Sequence, residues 1–332
     1  MKAVRAAISF EHVSLVYPSA ETPAVDDVTL EVTSGELVVL LGPSGCGKTT
    51  VLKMVNRLLE PTSGEIFIRG RPVSQFKRHE LRRRIGYVIQ QTGLFPHMRV
   101  EANVAVVPKL LGWDRARINA RVNELLDLVG LSPSQFRRRY PAQLSGGQQQ
   151  RVGLARALAG DPEMILMDEP FGALDAITRS RLQDELVAIQ QRLQRTILFV
   201  THDIDEAVKI ADRVVVMRDG RVQQYDTPLR IILNPANDFV GELVGAGDVM
   251  RRLSLILVES VMREPGDEPP SDQPAVTGQS DLRAALTAML ACDTDRLSVV
   301  DADDRRVGEV HLDDIRQVSV EHPEPAISED IQ

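Results

Sequence analysis

Leu37-Val38-Val39-Leu40-Leu41 runs directly into Gly42-Pro43-Ser44-Gly45-Cys46-Gly47-Lys48-Thr49. Five apolar residues, a glycine-rich turn and a Lys-Thr pair read as a buried strand, a phosphate-binding loop and the start of a helix. Glycines let the backbone curl until several N–H groups point at one phosphate, and the helix N-terminus adds partial positive charge. Lys48 supplies a point charge for the β- and γ-phosphates of ATP, and Thr49 offers a hydroxyl to Mg²⁺. Thr50 extends the nucleotide-binding run. At average composition this pattern arises by accident in about one chain in a hundred of this length. Cys46 stands at a variable position of the pattern and is read as structural, not reactive.

Moving outward, apolar runs rich in β-branched residues recur at Ile66–Ile68, Ile85–Ile89, Met164–Met167, Ile197–Val200 and Val214–Met217. Helical patterns lie between several of them, so the fold class is α/β with a mostly parallel sheet. Ile8–Tyr17 alternates loosely and reads as an antiparallel edge region, while Arg218-Asp219-Gly220-Arg221 reads as a hairpin turn. Residues 91–150 have helical periodicity (Val122, Leu125, Leu126, Val129) and form a helical insert.

The second half of the site follows from what ends each run. Met164–Met167 delivers Asp168 and Glu169 to the carboxyl edge of the sheet, where open α/β folds bind ligands. Asp168 suits Mg²⁺, and Glu169 suits a general base that polarises the attacking water. His202 follows Ile197–Val200; it either senses the γ-phosphate or caps the helix Asp205–Ala211. Gln90, after Ile85–Ile89, can touch Mg²⁺ or that water. Leu144-Ser145-Gly146-Gly147-Gln148 precedes a helix expected over Gln149–Ala159, which makes a second anion-binding helix start. One nucleotide does not need two phosphate cradles from one chain. A composite site completed by a second copy is the simplest reading.

Composition sets the limits. Of the 332 residues 43% are hydrophobic, enough for a sizeable core, while 4% aromatics and a single Trp113 argue against stacking on single-stranded nucleic acid. No apolar run approaches a membrane span, and the start from Met1 to Phe10 lacks the apolar centre of a secretion signal. Two cysteines fit a reducing compartment, so a cytosolic protein is expected. Charge is unevenly spread: residues 263–332 carry 6 Lys/Arg and 17 Asp/Glu, net −11, and the rest carries +3. Pro265, Pro269, Pro270 and Pro274 among acids mark a linker within 249–274, and the stretch 319–332 is expected to be disordered.

Taken together, residues 8–248 resemble the ATP-binding-cassette family. The resemblance implies a Walker A motif at Gly42–Thr49, a Q-loop at Gln90 and a signature at Leu144–Gln148. It further implies Walker B at Met164–Glu169, a D-loop ending at Asp175, a switch histidine at His202 and an adenine-stacking Tyr17. Such a protein works as a head-to-tail homodimer on the cytoplasmic face of the cell membrane. Integral membrane permease subunits dock near Gln90–Val100, and an extracytoplasmic binding protein supplies solute. The stretches Gln90–Met98, Leu110–Trp113, Phe171–Asp175 and Thr201–Ala207 look like ATPase subunits of glycine betaine, carnitine and choline importers. Residues 275–318 resemble a partial or single CBS domain, a small α+β module, its first half starting near Val258–Met262. Asp304 and His311 replace residues usual in that module, while Asp314 could still meet a ribose. Within it Ser280 is the expected cap of the helix Ser280–Met289.

Overall fold

A computed structural model describes residues 6–18, 20–90, 93–265 and 275–320, and the chain parts into two compact units at Thr227/Pro228. The first unit holds two sheets. One is antiparallel, in the order β2 (Val25–Thr33), β1 (Ala6–Leu15), β4 (Ser63–Ile68), β5 (Arg71–Pro72). Two sequence expectations change here. Residues 8–17 are antiparallel but lie between β2 and β4, not at an edge, and Ile66–Ile68 joins this sheet instead of the parallel one. The strand β2 escaped the sequence reading, although Val25, Val28, Leu30 and Val32 are its buried positions.

The other sheet runs β10 (Arg221–Asp226), β9 (Arg213–Arg218), β3 (Leu37–Leu41), β8 (Thr196–Thr201), β7 (Met164–Asp168), β6 (Ile85–Val88). Strands β9 to β6 are all parallel, and β10 closes one edge as the antiparallel arm of the expected hairpin. Asp219 and Gly220 take φ of 49° and 79°, which a tight two-residue turn requires. Every residue of β3 and β8 is buried, as expected of central strands covered on both faces.

Around this sheet lie α1 (Lys48–Val55), α2 (Arg78–Arg83), α8 (Ala176–Leu193) and α9 (Ile204–Ile210). The region 93–158 is helical as expected, with α3 (Val100–Val104), α4 (Val106–Leu110), α5 (Arg115–Leu128), α6 (Pro133–Phe136) and α7 (Gly146–Leu158). Helix α7 packs so closely on β6 that a Cβ at Gly86 would stand 2.6 Å from the Ala157 carbonyl oxygen. Among the described residues no helix is long and apolar enough to cross a membrane.

The second unit begins with α10 (Pro228–Leu233), α11 (Asp238–Val244) and α12 (Val249–Leu253). Beyond them β11 (Val276–Thr277), α13 (Leu282–Ala291), β12 (Arg296–Val300), β13 (Arg306–His311) and α14 (Leu312–Val320) form a β-α-β-β-α unit. Strand β11 runs parallel to β12, and β13 antiparallel to it. The cap of α13 is Asp281, whose carboxylate accepts from the Ala284 N–H at 2.7 Å, in place of the expected Ser280. Val258–Ser260 is a single 3₁₀ turn, with the Val258 N–H bonded to the Ser280 carbonyl. The Asp314 carboxylate is held by Arg263 through Nε at 3.0 Å and by the His311 N–H at 3.2 Å. The linker segment 266–274 and the acidic stretch from 321 lie outside the described residues, while α14 continues to Val320.

Candidate functional site

The order β3-β8-β7-β6 settles where the chemistry gathers. In-register pairing sets Leu41 beside Thr201, Val200 beside Asp168, and Met167 beside Val88. Four carboxyl ends therefore lie in one row. They carry in turn the glycine loop, His202, the Asp168-Glu169 pair and Gln90, which are far apart in sequence. Ligands of open α/β sheets bind along such an edge.

The loop itself is shaped by its glycines at two close approaches. Gly47 takes φ of 103°, and a Cβ there would meet the Ala24 carbonyl oxygen at 2.4 Å; at Gly42 it would meet the Met217 carbonyl oxygen at 2.3 Å. Both obstacles are backbone and cannot give way. Inside the curl, buried Lys48 donates from Nζ to the Gly42 carbonyl at 2.7 Å and the Pro43 carbonyl at 2.9 Å. Cys46 Sγ lies 3.7 Å from the same Nζ, and burial pushes its thiol up, as befits an inert position. Gly45 and Ser44 complete the turn, and the Cys46 N–H bonds back to the Pro43 carbonyl at 3.3 Å.

Thr49 Oγ1 donates to Asp168 Oδ1 at 2.8 Å, so two of the three expected metal-binding side chains meet, while Gln90 contacts Glu169 beside them. Thr49 and Asp168 both offer hard oxygen donors, the set that Mg²⁺ takes together with phosphate oxygens and water. Among the described residues no cluster of three or more His, Cys, Asp or Glu could hold a metal alone. Tyr17 lies on the other flank, half-exposed, its hydroxyl 3.3 Å from Thr50 Oγ1. An open ring of this kind can lie against a base.

Glu169 is the hub. Strand β7 stops at Asp168, and Glu169 takes a left-handed φ of 44° while its N–H bonds to the Val200 carbonyl at 3.0 Å. For a residue with a Cβ this conformation costs roughly 1–2 kcal/mol and is concentrated at functional sites. The twist swings the carboxylate between its neighbours: Gln90 Nε2 donates to Oε2 at 3.1 Å, and His202 Nδ1 lies 3.3 Å from Oε1. The capping alternative for His202 falls away, because Asp203 caps α9 by accepting from the Asp205 and Glu206 N–H groups.

The serine-glycine string sits elsewhere in the chain. Helix α7 begins at Gly146, three residues earlier than expected, because Ser145 is its cap. The Gln148 N–H donates to Ser145 Oγ at 3.3 Å, and the Ser145 N–H donates to Gln148 Oε1 at 3.0 Å, a reciprocal box. Gly147 is buried against α8, and a Cβ there would press on Thr178 Cγ2 at 2.7 Å. Asp175 caps α8 and lies below its ordinary value because the Thr178 backbone N–H, then the Thr178 hydroxyl, donate to it. The sequence reading missed Arg179, which joins this region to Asp203 at 3.2 Å. A basic residue four positions after a capping Asp was the available signal.

The family model described as ABC transporter matches residues 25–172. The glycine betaine uptake system ATP-binding protein YehX of Escherichia coli is 48% identical over 309 residues, covering 93% of this chain and 98% of that protein. The chain belongs to the ATP-binding subunits of the osmoprotectant-importer ABC transporters. The carnitine transport ATP-binding protein OpuCA of Listeria monocytogenes is likewise 48% identical over 295 residues, 89% of this chain and 72% of that protein. Among solved structures, a dimeric ATP-binding cassette in a post-hydrolysis state, bound to ADP and Pi, superposes with a TM-score of 0.60 at 34% identity. It covers 67% of this ABC subunit and 98% of its own chain. This ABC subunit thus pairs a cassette of ordinary length with a second, C-terminal unit.

Proposed function

We propose that the chain binds and hydrolyses ATP to drive import of quaternary-amine osmoprotectants, of the glycine betaine, carnitine and choline class. The observation that carries the reading is the single row of strand ends, which brings Lys48, Thr49, Asp168, Glu169, Gln90 and His202 to one sheet edge. The substrate class rests on the 48% identity to importer subunits for glycine betaine and carnitine.

In this reading the loop Gly42–Thr49 wraps the β-phosphate, Tyr17 stacks on adenine, and Thr50 closes the loop beside Tyr17. Lys48 exchanges its two carbonyl acceptors for phosphate oxygens. Thr49, Asp168 and Gln90 would hold Mg²⁺, which when bound spreads the charge developing on the transferred phosphoryl group. Glu169 takes the proton of the attacking water, Gln90 orients that water, and His202 donates toward the γ-phosphate. Gln90 and His202 already stand within 3.3 Å of Glu169, and Thr49 stands 2.8 Å from Asp168.

Ser145, Gly146, Gly147 and Gln148 have no phosphate to meet in their own chain. A second copy in a homodimer brings them, and Asp175, to the partner's nucleotide. The open faces of the helical insert suit membrane permease subunits: Phe95, Leu110 and Leu111 are exposed apolar side chains there. The subunit would then lie on the cytoplasmic face of the membrane, and an extracytoplasmic binding protein would deliver solute. The β-α-β-β-α unit at residues 276–320 has the chain order of one CBS repeat, and the Arg263–Asp314 pair favours a structural or pairing module over a nucleotide-sensing one. The test is uptake by the subunit reconstituted with its permease, using labelled betaine, choline and carnitine in parallel. Uptake of an amino acid or polyamine alone would replace the substrate class and leave the ATPase assignment intact.

A further inference from the structure

Helices α8 and α9 are tied by polar bonds at successive turns. Lys209 Nζ reaches the Ser180 carbonyl at 3.1 Å and Asp184 at 2.7 Å. One turn up, Gln183 Nε2 donates to Glu206 Oε1 at 3.0 Å, both side chains buried. The top rung is Arg179, whose NH1 donates to Asp203 Oδ2 at 3.2 Å and whose NH2 donates to the Leu174 carbonyl at 3.1 Å.

The Gln183–Glu206 rung meets the catalytic edge through Thr201, which bonds the Glu206 carboxylate, whereas the last rung grips it from both sides. Leu174 belongs to the turn that leaves Glu169 and enters α8, and Asp203 is the residue after His202. Asp203 is itself held, with its N–H on Thr201 Oγ1 at 3.0 Å and its Oδ1 capping α9. Thr201 ends β8 and is buried. The guanidinium therefore spans two loops whose other ends are pinned to neighbouring strands. A planar fork is needed for this: one nitrogen serves a carboxylate on one loop while another serves a carbonyl on the other, which a lysine ammonium on a flexible stem does not reproduce. Arg179 Nε is buried without an acceptor, a cost that the two bonds from its terminal nitrogens offset.

We propose that Arg179 is a positioning residue for ATP hydrolysis: it fixes the separation of Glu169 and His202 by clamping the loop that follows each. The proposal rests on the reading that those two residues act on ATP. It also gives the link a direction of use. A displacement of the turn at Asp175, when a second copy docks against it, is passed through Leu174 and Arg179 to the His202 loop.

The experiment uses the subunit assembled with its permease, measuring ATPase kcat and KM, labelled-ATP affinity and Tm for Arg179→Met, Arg179→Lys and Asp203→Ser. Serine preserves the cap of α9 but is too short to reach Arg179. Because the pair is partly exposed and screened, the expected loss is about tenfold in kcat for Arg179→Met and for Asp203→Ser, with KM and ATP affinity within about twofold. Arg179→Lys, keeping one bond of two, falls between. The double variant Arg179→Met/Asp203→Ser is no slower than either single one, since both sever one link. A kcat within about twofold of wild type in Arg179→Met, losses that multiply in the double variant, or a KM that rises while kcat holds would overturn the proposal. Glu169→Gln measured alongside separates the two ideas. If it turns over like wild type, the base assignment fails whatever the Arg179 variants show.

Discussion

Replacing Glu169 by Gln is the sharpest perturbation the site allows. The amide has the size and shape of the carboxylate, so the left-handed backbone at φ 44° and the fit between Gln90 at 3.1 Å and His202 at 3.3 Å are preserved. What is lost is the ability to accept a proton. General-base catalysis contributes about 10²–10⁴ in rate, which at about 1.4 kcal/mol per decade is roughly 3–5 kcal/mol of barrier. The phosphate loop is not touched, since Lys48 and Thr49 meet the Gly42 carbonyl and Asp168, and Gln90 and His202 keep a group of the same shape beside them. ATP affinity should therefore stay within about twofold while phosphate release slows at least about a hundredfold. Steady-state phosphate release, labelled-ATP titration and analytical ultracentrifugation with saturating Mg·ATP check the three parts. With hydrolysis blocked, the dimer should persist. Turnover within about tenfold of wild type would refute the base assignment. A variant that binds ATP yet stays monomeric, even beside its permease, would refute the composite site.

The remaining expectations concern the loop and a buried acid. Lys48→Ala removes the charge aimed at the β- and γ-phosphates and should weaken ATP binding at least about tenfold in a fluorescence titration; unchanged affinity would take Lys48 out of that role. Gly47→Ala forces a Cβ to within 2.4 Å of the Ala24 carbonyl at φ 103° and should lower stability by roughly 2–4 kcal/mol, read as a fall in Tm with weaker ATP binding. An unshifted Tm would mean that the turn relaxes. Burial raises the Glu206 carboxyl above its ordinary 4.5, so the folded state holds this proton more tightly than the unfolded one. The stabilisation is then full below 4.5 and is lost as pH rises through the raised value. Glu206→Gln should show a smaller fall in Tm between about pH 5 and about pH 8 than wild type, and an equal fall would sink the assignment.

Much of the cassette was readable because its signals are local. Leu37–Leu41 is buried throughout because five apolar residues in a row suit no other place, and the glycine loop after it is held by short-range sterics. Val25–Thr33 hides its strand signal because Asp26 and Asp27 interrupt its start, although the later alternation is regular. Ile66–Ile68 pairs in the antiparallel sheet, which a three-residue apolar run cannot signal because it says nothing of its neighbours. Helix α7 begins three residues before the expected Gln149 because Ser145 and Gln148 bond to each other, and their Ser-x-x-Gln spacing is itself a local signal of such a start. In the tail, the pairing of Asp314 with Arg263, 51 positions earlier, carries no local signal at all.

The sequence alone therefore determined the strands of the parallel sheet, the phosphate loop, the two carboxylates and the existence of a second anion-binding helix start, since each depends on residues within a few positions of one another. Tertiary structure alone decided that β8 lies between β3 and β7, and hence that His202 and Gln90 both reach Glu169. It alone joined Arg179 to Asp203. Strand order is set by which buried faces pack together across more than a hundred residues, and no local spacing carries that information.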